Sequence, residues 1–363
     1  MVLDKRDWEI QRVKMIINKT INNMAYHFKN LVFEGGGVKG IAYVGALEVL
    51  ESRGILQNVE RVAGTSAGAM MAVLIGMRYS AEEVRDILWK LNFRDFMDDS
   101  VGIVRDTKRL MNEYGWYQGY YFRNLIASFI QRKTGNGEAT FEDIANTHHY
   151  RDIYLVGADL TTGLSKMYSA RLTPKVKVAD AARVSMSIPL FFAAKRDEKN
   201  HHVLVDGGLL DNYSIKTFDQ VSYLTDRNQA RRTDYYEKIN EMLRSQRSLT
   251  VNEYVYNKET LGFRLDAKEE IAMYLGQGSA PCKKIDDFFS YTKALVATLI
   301  DSQNNTHLHS DDWQRTVYID TLGVGAVDFD IDETMKKELV RSGKTYAEAY
   351  LEWYDNDEVK ANK

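Results

Sequence analysis

Gly64-Thr65-Ser66-Ala67-Gly68 carries the clearest chemistry in this sequence. It has the form G-x-S-x-G, whose glycines let a strand turn sharply into a helix and thrust the serine hydroxyl into a cleft. The flanks fit that geometry, with a short strand expected around Arg61 to Ala63 and a largely apolar helix from Ala67 onward. A serine at the start of a helix also has free backbone N–H groups and a favourable dipole beside developing negative charge. The competing reading of the same five residues is a structural turn or a helix cap.

A neutral hydroxyl is a poor nucleophile, so Ser66 needs a base. The seven histidines are His27, His148, His149, His201, His202, His307 and His309, and none stands in a glycine-turn context. Asp206 does: it ends the apolar run Val203 to Val205 and is followed by Gly207 and Gly208. A carboxylate with an ordinary pKa near 4 is a weak base in water, but burial in a cleft raises it.

Gly35-Gly36-Gly37-Val38-Lys39-Gly40 is the third element. It puts pliable backbone beside a helix start, where N–H groups can hold an oxyanion, with the Ala67 N–H as a further donor. The string also satisfies G-x-G-x-x-G, so a dinucleotide site has to be weighed. Such a site wants an acidic residue closing the second strand. Here that strand closes on Ala63-Gly64-Thr65, with Glu60 ahead of it.

These residues need a scaffold. Leu31 to Phe33, Arg61 to Ala63, "IYLVGADLTTG", "HVLVDGG" and "TVYID" read as strands. Helices are predicted after the first two, in "AEEVRDILWKL" and "YYFRNLIASFIQRKTG", in "VADAARVSMSIPLFF" as far as Pro189, and as two segments in "DETMKKELVRSGKTYAEAYLEWY". Strands alternating with helices imply an α/β sandwich with a mainly parallel or mixed sheet, and sites in such sheets lie beyond the strand C-termini. All three glycine turns follow strands. Trp8 to Phe28 has the three- and four-residue apolar spacing of an amphipathic helix, and residues 219–315 read as a polar, helix-rich insertion. Within it, Ile285, Phe288, Phe289, Leu295, Val296, Leu299 and Ile300 share a side of a further helix, expected to pack in the core or else to cover the cleft or touch a bilayer.

With 48 basic against 51 acidic residues, no global basic excess argues for a nucleic-acid duplex. No window approaches the roughly 20 apolar residues of a membrane span, and the charged N-terminal stretch holds no signal-peptide core. The lone Cys282 fits a reducing compartment. The expectation is a cytoplasmic protein whose membrane contact is peripheral.

Taken together, G-G-G-x-K-G, G-x-S-x-G and D-G-G in this order resemble the patatin-like phospholipase family. The likeness extends to "GADLTTG", to "AARVSMSIPLFF" and to "DTLGVGAVDFDI". It covers most of Leu31 to Asp219 and returns near Thr316, with no counterpart for the insertion, and the chain is read as an N-terminal helix over 1–30 followed by a catalytic domain over 31–363 that includes the insertion. The likeness implies a three-layer α/β/α sandwich with additional helices. It implies Ser66 as nucleophile, Asp206 as base, and Gly35, Gly36, Gly37 and Lys39 along the oxyanion loop, with Gly40, Gly64, Gly68, Gly207 and Gly208 shaping the turns. It implies no metal and no cofactor. Substrates would be phospholipids or other acyl-ester lipids met at a membrane surface, and an activator, small molecule or protein, could bind the insertion. The sequence departs from the family after Asn212, where Tyr213 and Ser214 replace the usual proline. Two rivals remain at this point: a histidine-dependent α/β-hydrolase using His307 or His309, and a catalytically silent lipid-binding protein.

Overall fold

The structure is a computed structural model that describes residues 26–98, 103–197, 199–245, 252–266 and 311–356, with short stretches between 285 and 299. Most of the expected N-terminal helix lies outside these residues, as do Cys282, His307 and His309. Tyr26 and Phe28 are described, and both pack on Tyr354, with ring centroids 5.8 and 5.2 Å away.

One mixed sheet organises the chain. Its strands are β1 (Asn30–Phe33), β2 (Arg61–Thr65), β3 (Asp152–Asp159), β4 (Leu164–Tyr168), β5 (Lys195–Arg196), β6 (Val203–Asp206), β7 (Thr260–Asp266) and β8 (Thr316–Asp320). They run in the order β8-β7-β1-β2-β3-β6-β5, with β4 folded back on β3. The strands from β8 to β3 are parallel, while β6 runs antiparallel to β3 and β5 antiparallel to β6. This is the mixed α/β architecture that the alternation of elements predicts.

Register divides the core into two faces. Leu31, Val62 and Ile153 lie level across β1, β2 and β3, and the next row is Val32, Ala63 and Tyr154. Successive rows point to opposite sides of a sheet. The first row is buried in the large core with α1 (Tyr43–Ser52), α2 (Ala67–Gly76) and the C-terminal α3 (Glu333–Asp355). The second row meets Tyr213, Ile215 and Phe218, a thinner layer made by the chain just after Asp206.

Two elements differ from the sequence reading. The C-terminal segment is one helix of 23 residues rather than two. Gly343 does not break it, because that position faces the Ala42 carbonyl at the crossing with α1, where a side chain would collide. More consequentially, the stretch read as a helix-rich insertion supplies β7, fully buried between β1 and β8. Leu261, Phe263 and Leu265 alternate with Gly262, Arg264 and Asp266 as in a strand, but they lie inside a long stretch whose overall polarity reads as helix and loop. Ile285, Leu295 and Leu299 are exposed rather than packed in the core, and Phe288, Phe289, Val296 and Ile300 lie outside the described residues. No helix among the described residues is long and apolar enough to cross a membrane.

Candidate active site

Ser66 joins β2 to α2 with φ 55° and ψ −122°, a conformation that a non-glycine residue adopts only when its surroundings impose it. The imposition comes from close backbone packing. A Cβ on Gly64 would collide with the Gly68 carbonyl, and one on Gly68 with the Phe33 carbonyl oxygen. Every residue of α2 is buried. The Ser66 N–H donates to Ser185 Oγ at 3.0 Å, and Ser185 Oγ donates in turn to the Val156 carbonyl at 2.5 Å. Thr65 Oγ1 donates to the Asp211 carbonyl at 3.0 Å, tying the turn to the loop after β6.

Asp206 closes β6 opposite Gly157 of β3. Its backbone N–H donates to the Ser187 carbonyl at 2.9 Å, and its Oδ1 accepts from the Gly208 N–H at 2.7 Å. The Ser66 hydroxyl lies beside the carboxyl and favours its ionised form. Ser66 and Asp206 are only 5% and 3% exposed. Burial pushes the Asp206 pKa up to about 7, against the opposing pull of the Gly208 N–H and the Ser66 hydroxyl. That places its proton affinity where a general base is useful near neutral pH. No described histidine bonds to either residue. His202 Nδ1 pairs with Asp159 Oδ2 at 2.6 Å, and His27, His148, His149 and His201 face solvent.

The glycine loop packs against the serine turn. A Cβ on Gly35 would stand 3.1 Å from the Ser66 Cβ, which measures how tightly the loop covers the serine. Gly37 has φ +56° and abuts the Ala326 carbonyl, so both its conformation and its neighbour require glycine. Gly40 lies against Ala67, and Gly207 against the Val156 backbone. The candidate oxyanion donors now separate. The Gly35 N–H is committed to the Asn212 carbonyl at 3.1 Å, the Lys39 N–H to the Gly36 carbonyl at 3.1 Å, and Lys39 Nζ to the Leu265 carbonyl at 3.1 Å. The N–H groups of Gly36, Gly37 and Ala67 have no internal acceptor among the described residues.

Several supporting residues escaped the sequence reading as individuals. Ser185 and Ser187 sit in "AARVSMSIPLFF", a block whose serines the sequence alone does not tell apart, and Arg183 holds Ser187 Oγ while donating to the Ala193 carbonyl at 2.9 Å. Glu34, immediately before the glycines, is buried, and burial raises its pKa despite the nearby Arg264 and Lys39. Its signal, an acidic residue ending an apolar strand before glycines, is the one that picked out Asp206. Where the proline is missing, Tyr213 anchors the loop, with its hydroxyl 2.8 Å from Thr316 Oγ1. A hollow of about 460 Å3 opens elsewhere, lined by Tyr79, Ile87, Leu125 and Phe129 among others.

Among known proteins, the uncharacterized protein YqhO of Bacillus subtilis (strain 168) is 27% identical over 332 residues, 88% of this chain and 97% of YqhO. The probable lipid hydrolase 463L of Invertebrate iridescent virus 6 is 21% identical, over 52% of this chain and 62% of its own length. Patatin-like phospholipase domain-containing protein 7 of Rattus norvegicus is 25% identical over half of this chain, which spans only 12% of that larger protein. Among solved structures, VipD from Legionella pneumophila shares the fold, with a TM-score of 0.53 at 16% identity, covering 90% of this chain and 67% of VipD. The profile of the family described as Patatin-like phospholipase matches residues 31–219, just over half of the chain and the turns that carry the serine, the aspartate and the glycine loop, and the chain belongs to that family.

Proposed function

We propose that this protein hydrolyses fatty-acyl esters of lipids, with phospholipids the leading substrates and lysophospholipids or neutral acylglycerols behind them, through Ser66 and Asp206. The observation that carries the reading is a buried carboxyl, lifted to neutrality, beside a serine held on a strained turn. Asp206 takes the proton from Ser66 Oγ as that oxygen attacks the acyl carbonyl carbon. The oxyanion of the tetrahedral intermediate is met by the N–H groups of Gly36, Gly37 and Ala67, at the mouth of α2. Collapse breaks the ester C–O bond, and Asp206 returns the proton to the departing alcohol. A water then gives its proton to Asp206 and attacks the acyl-serine, and the fatty acid leaves as the proton returns to Ser66. Lys39, drawn toward Leu265, holds the loop from behind rather than touching the substrate.

Family membership supports lipid hydrolysis as a class, and the uncommitted N–H groups support the acyl-transfer route within it. Transient contact with the membrane that holds the substrate goes with this reading. The test is Ser66→Ala, compared with the native chain on phospholipid vesicles and on a soluble nitrophenyl ester. Turnover is expected to vanish in both while the thermal transition stays in place. Fatty-acid release at the native rate would end the proposal.

A further inference from the structure

Behind the glycine loop lies a buried polar cluster that the chemistry above does not use. Glu34 leads directly into Gly35, and its two carboxyl oxygens serve different elements. Oε2 accepts from the Leu265 N–H of β7 at 2.7 Å, and Oε1 accepts from Asn212 Nδ2 at 3.3 Å. Asn212 in turn grips Gly35 on both sides, its carbonyl accepting from the Gly35 N–H at 3.1 Å and its Nδ2 donating to the Gly35 carbonyl at 3.2 Å. Arg264 Nε stands 3.7 Å from Glu34 Oε1, and Arg264 Nη2 bonds Asp266 Oδ1 at 2.7 Å. Lys39 Nζ reaches the same strand at the Leu265 carbonyl, and the Tyr43 hydroxyl donates to the Glu34 carbonyl at 2.7 Å.

We infer that Glu34 is a positioning residue for the reaction: by binding Asn212 and β7 at once, it fixes the glycine loop over Ser66 and so sets where the Gly36 and Gly37 N–H groups meet the oxyanion. The inference rests on the hydrolase reading of Ser66. Its logic is the direction of the donors. Leu265 N–H and Asn212 Nδ2 both point hydrogens at Glu34, and an ionised carboxylate accepts at both ends. Glutamine cannot. With its oxygen toward Leu265, its NH2 confronts the Asn212 NH2, and Asn212 can turn its amide only by giving up Gly35. The glycine loop would then shift without losing a residue that touches the substrate, and a misplacement of about 1 Å costs on the order of 100-fold in rate.

The experiment compares full-length native, Glu34→Gln, Asn212→Ala and the double variant on 4-nitrophenyl butyrate, with Ser66→Ala as control. Glu34→Gln is expected to lower kcat about 10- to 100-fold while KM stays within about twofold and the protein remains folded by thermal melting. Asn212→Ala is expected to behave alike, and the double variant to be no slower than the slower single, because both act through one clamp. Native-like kcat in Glu34→Gln would overturn the inference, as would losses that multiply in the double variant. Failure of both single variants to fold would overturn it too, marking the cluster as structural only. Turnover surviving in Ser66→Ala would instead bring down the hydrolase reading, and the clamp with it.

Discussion

The serine turn and the glycine loop both leave backbone N–H groups without an internal acceptor among the described residues, yet different forces hold the two elements. The turn is held by apolar packing: Gly64 and Gly68 let backbone touch backbone, and α2 is buried along its whole length. The loop is held by buried charge: Glu34, Arg264 and Asp266 lie at its back, all nearly sealed from solvent, with Asn212 and Lys39 spanning the gaps. Packing of the first kind is insensitive to pH and depends on shape. A buried ion cluster is sensitive to pH and fails when one partner goes, because the others remain buried without compensation.

Removing the cation should therefore give the largest effect. Arg264→Met would leave the Glu34 and Asp266 carboxyls buried without their guanidinium, for an expected loss of about 3 to 5 kcal/mol. Burial already makes Glu34 bind its proton more tightly in the folded state than in the unfolded chain, and losing Arg264 removes the charge that opposes this. The deficit should then be smaller at pH 5 and larger at pH 8, which urea denaturation at the two values would read. Equal losses at both would place the loop in the same class as the turn.

On the packing side, Gly68→Ala drives a methyl group into the Phe33 carbonyl oxygen, and the backbone of β1 and α2 must part to admit it. The expected cost is about 3 kcal/mol or more. Here the denaturation midpoint should shift by the same amount at pH 5 and pH 8, since no titrating group is touched. A pH-dependent loss would show that the turn leans on the charged cluster after all.

The same contrast explains what could be read from the residues. Ser66, Asp206 and the glycines announce themselves through neighbours within a few positions, since glycine placement and apolar runs are local properties. Five strands of the mixed sheet, four of them in its parallel part, and the convergence of three turns followed from that pattern. β7 and its Arg264 did not: Arg264 bonds Asp266 two residues on, but Glu34, the other carboxyl it faces, lies 230 positions earlier and becomes its neighbour only through the β1–β7 pairing. Ser185 was equally hidden: its role depends on an N–H brought to it by the fold. The division among the candidate donors, with Gly35 and Lys39 committed and Gly36, Gly37 and Ala67 open, is a matter of hydrogen-bond partners that no spacing encodes.

Asp206 stands between the two regions, a charge held by packing. Its folded pKa of about 7 lies above the value near 4 of the unfolded chain, so between those values the folded protein keeps a proton that the unfolded chain has released. Its contribution to stability is therefore greatest at low pH and falls as pH rises from about 4 to about 7. Asp206→Asn should remove that slope, matching the native protein near pH 4 and exceeding it at pH 8 by roughly 2 to 4 kcal/mol, while turnover collapses. In the native enzyme the same ionisation should appear as an acid limb in kcat/KM centred near pH 7. A flat profile from pH 5 to 8 would deny Asp206 the role of base.

The smallest effect separates holding the turn from doing the chemistry. Ser185 Oγ accepts the Ser66 N–H and passes its own hydrogen to Val156, so it links the strained turn to β3 without touching a substrate. Ser185→Ala leaves the Ser66 N–H and the Val156 carbonyl buried without their partner, at a cost of about 1 to 2 kcal/mol. The turn keeps its glycines and its apolar helix, so Ser66 should stay in its strained conformation and lose only part of its alignment. Turnover is expected to fall about 10-fold, far short of the loss in Ser66→Ala, with the labelling of Ser66 by a fluorophosphonate slowed in proportion. If packing alone holds the turn, labelling and turnover will both match the native protein even as the melting temperature drops.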